Sequence, residues 1–302
     1  MYPGPSHTPG RKVEVDAPRL GIGIISAGKV GTVLGAALAA SGHRITGIHA
    51  VSEASQDRAD ALLPGVEILD PPEILRRSEL VLFAVPDDVL GELVAGLATA
   101  GHIQPGQLIA HTAGRFGTSI LQPALDVGAF GLAIHPAMTF TGMSMDLARL
   151  TDCVFAVTAD EVMLPVAQAL VVEMRAEPVV IAEADRASYH AALAHAANHL
   201  NTITAQSADI LRRIGVEDPA NTLRALMSAS LDNALRSGAG ALTGPVARGD
   251  IGTVTAHLDA LSSDPAETNN SYRSLSRATA LRAADRGLIS QGTLEELLRV
   301  LE

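Results

Sequence analysis

The stretch HAALAHAANHLNTITAQ, residues 190–206, holds three histidines, two asparagines and two threonines, and no Lys, Arg, Asp or Glu. Imidazoles exchange protons near neutral pH, and amides and hydroxyls can orient a polar ligand without adding charge. Two further histidines close short apolar runs, His111 in QLIAHTAG and His135 in GLAIHPAMTF. A glycine-bearing turn in IISAGKVGTVLG offers a place for phosphates. Together these residue types suit proton transfer beside a bound cofactor rather than metal or nucleophilic chemistry.

The neutral stretch reads as a helix. At about 100° per residue, His190, Ala194, Asn198, Asn201 and Thr202 share one arc, with His195 and His199 at its edge. Leu193, Ala197, Leu200 and Ile203 lie opposite. A polar face without charges suits a partly buried cleft, where ordinary charges would be costly. Histidines and asparagines paired at a helix interface are the plainer alternative. His195 and His199 stand four apart, but HAANH lacks the glutamate of H-E-x-x-H and no third ligand is indicated, so no metal is expected.

The elements around it are legible. From Leu20 onward, LGIGIIS, RITGIHAV, LVLFAVP, QLIAH, FGLAIHP and CVFAVT alternate with helical patterns. Continuous apolar strands between helices predict an α/β domain, a doubly wound and mostly parallel sheet covered on both faces. After about Glu183 strand signals stop and helical periodicity runs to the end. The expected organisation is a disordered tail over 1–18, a Rossmann-like dinucleotide-binding domain over 19–182, and an all-α domain over 183–302 for substrate and dimerisation.

Bulk composition excludes several classes. The net charge of -11, with no cluster of Lys and Arg, argues against nucleic acid. A single cysteine, Cys153, excludes an internal disulfide and fits a reducing compartment. The start MYPGPSHTPGRKVEVDAPR lacks a signal-peptide core, and no run of about 18 apolar residues suggests a membrane span, so a cytoplasmic location is expected.

The fingerprint G-x-G-x-x-G aligns with Ser26, Ala27, Gly28, Lys29, Val30 and Gly31, with serine at the first glycine. Gly28 would let the backbone approach a pyrophosphate and Gly31 would let the helix pack against the strand, while the helix N-terminus supplies N–H groups. A merely structural turn is the alternative. The second strand ends in GIHAVSEAS, with His49, Ala50 and Val51 uncharged at the tip where enzymes that prefer NAD usually carry an acid to hold the ribose. Ser52, Ser55 and Arg58 could instead meet a 2′-phosphate, so NADP is favoured over NAD.

Val85, Pro86 and Asp87 of AVPDD follow the third strand, at the carboxyl edge where ligands collect in open sheets. His111 and His135 close the next strands, with Thr112, Gly114 and Thr139 beside them as candidate substrate contacts. Each histidine alone could equally be a hydrogen-bonded structural residue. The loop SGAGALTGPVARGD offers Thr243 ahead of Asp250, as a substrate clamp or as a structural turn.

These motifs, with YHAALAHAANHL and LTGPVARGD, resemble a group of bacterial proteins that join a Rossmann-like domain to a C-terminal domain of unknown function. The resemblance covers essentially the whole chain after the tail. The group is similar to the wider superfamily of 6-phosphogluconate, ketopantoate, prephenate and pyrroline-carboxylate dehydrogenases and reductases, which commonly dimerise through the helical domain. Ketopantoate reductases carry a catalytic lysine eight positions before an asparagine. Here Asn198 stands at that asparagine and His190 at the lysine, while the family's intermediate asparagine falls on Ala194.

The resemblance implies a homodimeric, NADP-dependent reductase of a small 2-oxo acid or related carbonyl, with ketopantoate-like chemistry as the named expectation. His190 would donate the proton, Asn198 would orient the substrate, and Asn201 and Thr243 would contact it. An imino-acid or prephenate-type enzyme is the alternative substrate class. The serine at the first glycine and the missing lysine also leave open a non-catalytic nucleotide-binding regulatory module.

Overall fold

The computed structural model describes residues 19–302. The tail expected over 1–18 lies outside the described residues. Seven strands run β1 (Gly21–Ile25), β2 (Arg44–His49), β3 (Leu80–Phe83), β4 (Leu108–His111), β5 (Phe130–Pro136), β6 (Val154–Thr158) and β7 (Glu177–Val180). The helices among them are α1 (Lys29–Ala40), α2 (Glu53–Leu62), α3 (Pro71–Arg77), α4 (Asp87–Thr99), α5 (Gln122–Asp126), α6 (Met145–Arg149) and α7 (Leu164–Glu173). Helices α8 (Arg186–Arg213), α9 (Pro219–Ser237), α10 (Ile251–Leu261), α11 (Ala266–Asp285) and α12 (Gln291–Val300) complete the chain.

The strands form one sheet in the order β2-β1-β3-β4-β5-β6-β7, parallel except where β6 meets β5. Apolar runs become its strands because both faces are covered. In β3, Leu80 and Leu82 join the core that holds Val33, Leu34 and Leu38 of α1 and Leu170 of α7. Val81 and Phe83 face the opposite core, with Leu75 of α3 and Leu90 and Val94 of α4. The period of two along one continuously hydrophobic strand thus feeds two cores.

Strand β7 is absent from the apolar runs that mark the other six. It lies at the sheet edge and is mostly exposed, so its sequence EPVV needed no continuous hydrophobic run. The chain divides into two compact units, one ending at Ala194 and the other spanning His195–Glu302. Strand pattern therefore stops near residue 182, whereas the first unit extends through the opening turns of α8. The second unit is helical, with a core of Val246, Val254, Leu258, Ala280, Leu294, Leu297 and Leu301.

No helix of the described residues is long and apolar enough to cross a membrane. Phe155 of β6 is fully buried. Its replacement by alanine should cost about 3–5 kcal/mol of stability, as transfer and cavity terms add. Urea denaturation of F155A against the parent would measure it, and a loss below about 1 kcal/mol would contradict this packing.

Candidate active site

Strands β1 and β3 are neighbours, while the chain passes from β1 to β2 on the other side, so the topology switches between β1 and β3. In such sheets the ligand crevice lies outside the carboxyl ends at the switch. The turn after β1 occupies that place. Ala27 N–H donates to the His49 carbonyl at 2.7 Å, and Ala84 N–H, after β3, donates to the Ile25 carbonyl at 3.0 Å.

Ser26, the departure from the glycine fingerprint, adopts φ 87°. The fingerprint's first glycine serves a tight turn, and this chain keeps glycine's backbone conformation with a serine, at a strain of roughly 1–3 kcal/mol. Gly28 is the N-cap of α1, and no side chain caps that helix. The first-turn N–H groups are thus left for an anion. A Cβ on Gly31 would collide with the Ser26 carbonyl oxygen and come within 2.9 Å of Ala84 Cβ. Close packing of helix on strand therefore requires that glycine. Lys29 is exposed beside the turn, Val30 half-buried and Ala27 buried.

Arg58 of α2 reaches back to this turn, its Nε donating to the Ala27 carbonyl at 3.2 Å. The loop after β5 closes against it. A Cβ on Gly142, at φ +82°, would lie 3.0 Å from Arg58 Cδ and 3.1 Å from Lys29 Cγ. Buried Asp146 ties this loop down by accepting from the N–H groups of Thr141 at 2.7 Å and Gly142 at 2.8 Å. Burial alone would raise the Asp146 carboxyl, but these bonds outweigh it and hold the group below its ordinary range.

Several expected contacts are corrected. Ser52 caps α2 by accepting from Ser55 N–H, and the Ser55 hydroxyl donates to the Ser52 carbonyl and accepts from Val51 N–H. Ser55 is buried and spent on this cap, so it is not available to a phosphate; Ser52 remains exposed. Val85 and Pro86 sit at the end of β3, but the Asp87 carboxylate pairs with Arg115 at 3.3 Å across the neighbouring loop.

His111 is corrected as well. It is fully buried, its Nδ1 accepts from Ala113 N–H at 3.1 Å, and its Nε2 lies 2.7 Å from the Gly117 carbonyl. With Nδ1 accepting, Nε2 carries the proton and donates, so both nitrogens are satisfied and the ring staples its loop instead of facing a substrate. Thr112 is half-buried, its N–H donating to the Phe83 carbonyl, and Thr139 is exposed in the loop after β5.

His135 and His190 do come together. A Cβ on Gly114 would stand 2.6 Å from His190 Cδ2 and 2.8 Å from His135 Nε2, so this glycine admits both rings. The rings meet edge-on with centroids 6.1 Å apart. Tyr189, which no sequence motif singles out, brings its hydroxyl within 2.9 Å of His135 Nδ1. Arg186 was also missed. It is 1% exposed, with Nε donating to Thr158 Oγ1 at 2.7 Å and Nη2 to the carbonyls of Ala133 and Ala156 at 2.9 and 3.2 Å. Nη1 has no partner among the described residues. The signal for both was their place in DRASYH, Arg186 one turn before His190 and Tyr189 directly before it, at the head of the uncharged stretch.

The remaining candidates belong to the second unit. Asn198 and Asn201 are exposed on α8, and Thr243 is exposed in the turn before α10, which Asp250 caps by accepting from Thr253 N–H. Every residue from 195 to 202 is exposed, Leu200 at 39% included, so burial of the neutral face in a cleft is not seen over this span. His195 and His199 bond to each other, Nδ1 to Nδ1 at 2.8 Å. A cavity of about 790 Å³ in the first unit, lined by Leu20, Leu108, Phe130 and Leu170, lies at the opposite, amino-terminal edge of the sheet.

The family model for a Rossmann-like domain matches residues 6–136, and that for the domain of unknown function DUF2520 matches residues 153–279. The chain is a Rossmann-like domain followed by a DUF2520 domain. His135 belongs to the Rossmann-like part, and Arg186, Tyr189 and His190 belong to DUF2520. Among solved structures, a Bacteroides fragilis protein named as an NADP oxidoreductase is 22% identical, with TM-score 0.73 over 87% of this chain and 98% of its own. A Pseudomonas imine reductase is 16% identical, TM-score 0.63, over 94% and 100%. Plasmodium falciparum pyrroline carboxylate reductase, solved with NADP bound, is 11% identical, TM-score 0.56, over 86% and 98%. These likenesses establish the shared fold. No curated protein matches the chain.

Burial first, and the Arg186 cation with it, push His111 and His135 down to about 4. Unfolded histidine titrates near 6.5, so between these values the unfolded chain binds the extra protons and stability falls as pH drops from about 6.5 to about 4. For fully buried His111 the difference amounts to about 3 kcal/mol, and less for His135, which is partly exposed. Urea unfolding from pH 7 down to pH 4.5 should show the decline, and H111N should flatten it; a slope unchanged by that substitution would contradict a neutral buried ring.

Proposed function

We propose that this Rossmann-like and DUF2520 chain is an NADPH-dependent reductase of a small carbonyl or imine compound. The observation that carries the reading is the glycine-type turn and side-chain-free N-terminus of α1 at the switch point, in a unit that also gathers His135 and His190 at Gly114, with Tyr189 bonded to His135. The names of the Bacteroides, Pseudomonas and Plasmodium neighbours support the same class.

When bound, NADPH supplies the hydride. The turn from Ser26 to Gly31 would hold the pyrophosphate, and Arg58, anchored through Nε, would offer its remaining N–H groups to the 2′-phosphate. His190 would donate the proton that completes reduction, and the buried Arg186 cation favours negative charge building on the substrate. A 2-oxo acid of the ketopantoate kind is the first substrate class, on the sequence resemblance. A cyclic imine or imino acid is the second, favoured by the imine reductase and pyrroline carboxylate reductase neighbours.

A homodimer belongs to the same reading. On α9, Leu226, Leu231 and Leu235 are 66%, 47% and 79% exposed, a loss of burial that a second copy would offset.

NADPH consumption at 340 nm with pooled 2-oxo acids, against pooled cyclic imines, should show turnover in one pool. H190Q should lower kcat about 10²–10⁴-fold without loss of NADPH binding. R58Q should weaken NADPH about tenfold and leave NADH nearly unchanged. Tight NADPH binding with no turnover in either pool would favour a regulatory module instead, and an unaltered kcat in H190Q would remove His190 from the proton step.

A further inference from the structure

Between the buried arginine and the exposed edge of the site lies a hydrogen bond that the proposed chemistry does not yet use. Tyr189 Oη and His135 Nδ1 are 2.9 Å apart, with the rings edge-on at 5.6 Å. Either atom could hold the proton, and the surroundings decide which. No other hydrogen bond of the Tyr189 hydroxyl occurs among the described residues. A half-buried phenol whose proton pointed elsewhere would leave that proton without an acceptor, at the cost of an unsatisfied donor. An imidazole nitrogen with a free lone pair is the acceptor at hand.

We propose that Tyr189 is a positioning residue that locks His135 in the Nε2–H tautomer, so that His135 presents a second hydrogen-bond donor, beside His190, to the reacting heteroatom of the substrate. The inference rests on the reductase reading and names a role within that site. With Nδ1 occupied by the tyrosine proton, the ring's own proton must sit on Nε2. Nε2 is the atom that lies against Gly114, where a Cβ would come within 2.8 Å, and it has no hydrogen-bond partner among the described residues. The same glycine position borders His190 Cδ2, so both imidazoles border one point.

Burial, with the Arg186 cation second to it, keeps His135 neutral. The Arg186 guanidinium is fixed on the carbonyls of Ala133 and Ala156, in the strands on which His135 pairs with Ala156. Burial, then this cation, then His190 and His111 all oppose a charge on His135. Burial likewise raises the Tyr189 hydroxyl, keeping it a donor. In the reduction, substrate carbon gains hydride and its oxygen or nitrogen gains one proton from His190. His135 keeps its Nε2 proton and supplies a hydrogen bond that strengthens as charge builds on that heteroatom.

Side-chain ¹⁵N–¹H correlation spectra of the full chain, without ligand at pH 7, read the tautomer directly; the His135 signal is assigned by its loss in H135Q. A protonated Nε2 and a bare Nδ1 are expected, and Y189F should turn this into a mixture of tautomers. In turnover, Y189F should lose about tenfold in kcat with KM for NADPH unchanged. A His135 that is charged, or protonated on Nδ1, overturns the proposal from the parent protein alone, whether or not Y189F folds. A tautomer unmoved in folded Y189F also overturns it. Since the spectra need no substrate, a failed reductase reading would appear separately, as absent turnover by the parent.

Discussion

The guanidinium of Arg186 holds the first turn of α8 against the seam where the sheet changes direction. Strand β6 is antiparallel to β5, pairing Ala133 with Thr158 and His135 with Ala156. Arg186 bonds to the carbonyl of one strand, the carbonyl of the other and the Thr158 hydroxyl. A buried cation without a carboxylate pays a desolvation penalty that these bonds only partly offset. The arrangement fixes the first turn of α8, and with it Tyr189 and His190, next to His135. Glu183, just ahead, holds the loop after β4 by accepting from Thr118 N–H and Ser119 Oγ.

The opposite side of the site is built by backbone instead of charge. Ser26 keeps a conformation suited to glycine, Gly31 lets α1 lie against the turn, and Gly142 lets a third loop close on Arg58 and Lys29. Asp146 holds that third loop from within, bonded to two of its backbone N–H groups. The glycine-type turn after β1 is thus bordered by a loop that a fingerprint search would not connect with it. Positive charge is supplied there by Arg58 from α2, not by a residue at the tip of β2.

Much of the fold is legible in the sequence because it follows from periodicity. LVLF, Leu80–Phe83, reads as a buried strand because a short continuous apolar run suits a strand covered on both faces and is too short for a typical helix. The edge strand β7 escaped because partial exposure removes the hydrophobic run that would mark it. The histidines show the limit at the site. His111 and His135 look alike as strand-end residues, yet one ring is sealed between Ala113 and Gly117 and the other borders Gly114 and Tyr189.

The sequence by itself determined six of the seven strands and the helices between them, the glycine-bearing turn after β1, the change to an all-helical region and the place of His190 at the head of an uncharged stretch of α8. These depend on local pattern: apolar period, turn glycines and absence of charge. Only the tertiary structure decided which polar groups were already consumed, Ser55 by a helix cap, Asp87 by Arg115 and His111 by its own loop, and which were brought together. Hydrogen-bond partners distant in sequence are set by strand pairing and packing, and Tyr189 meets His135 because Arg186 crosses a strand junction that no local pattern records.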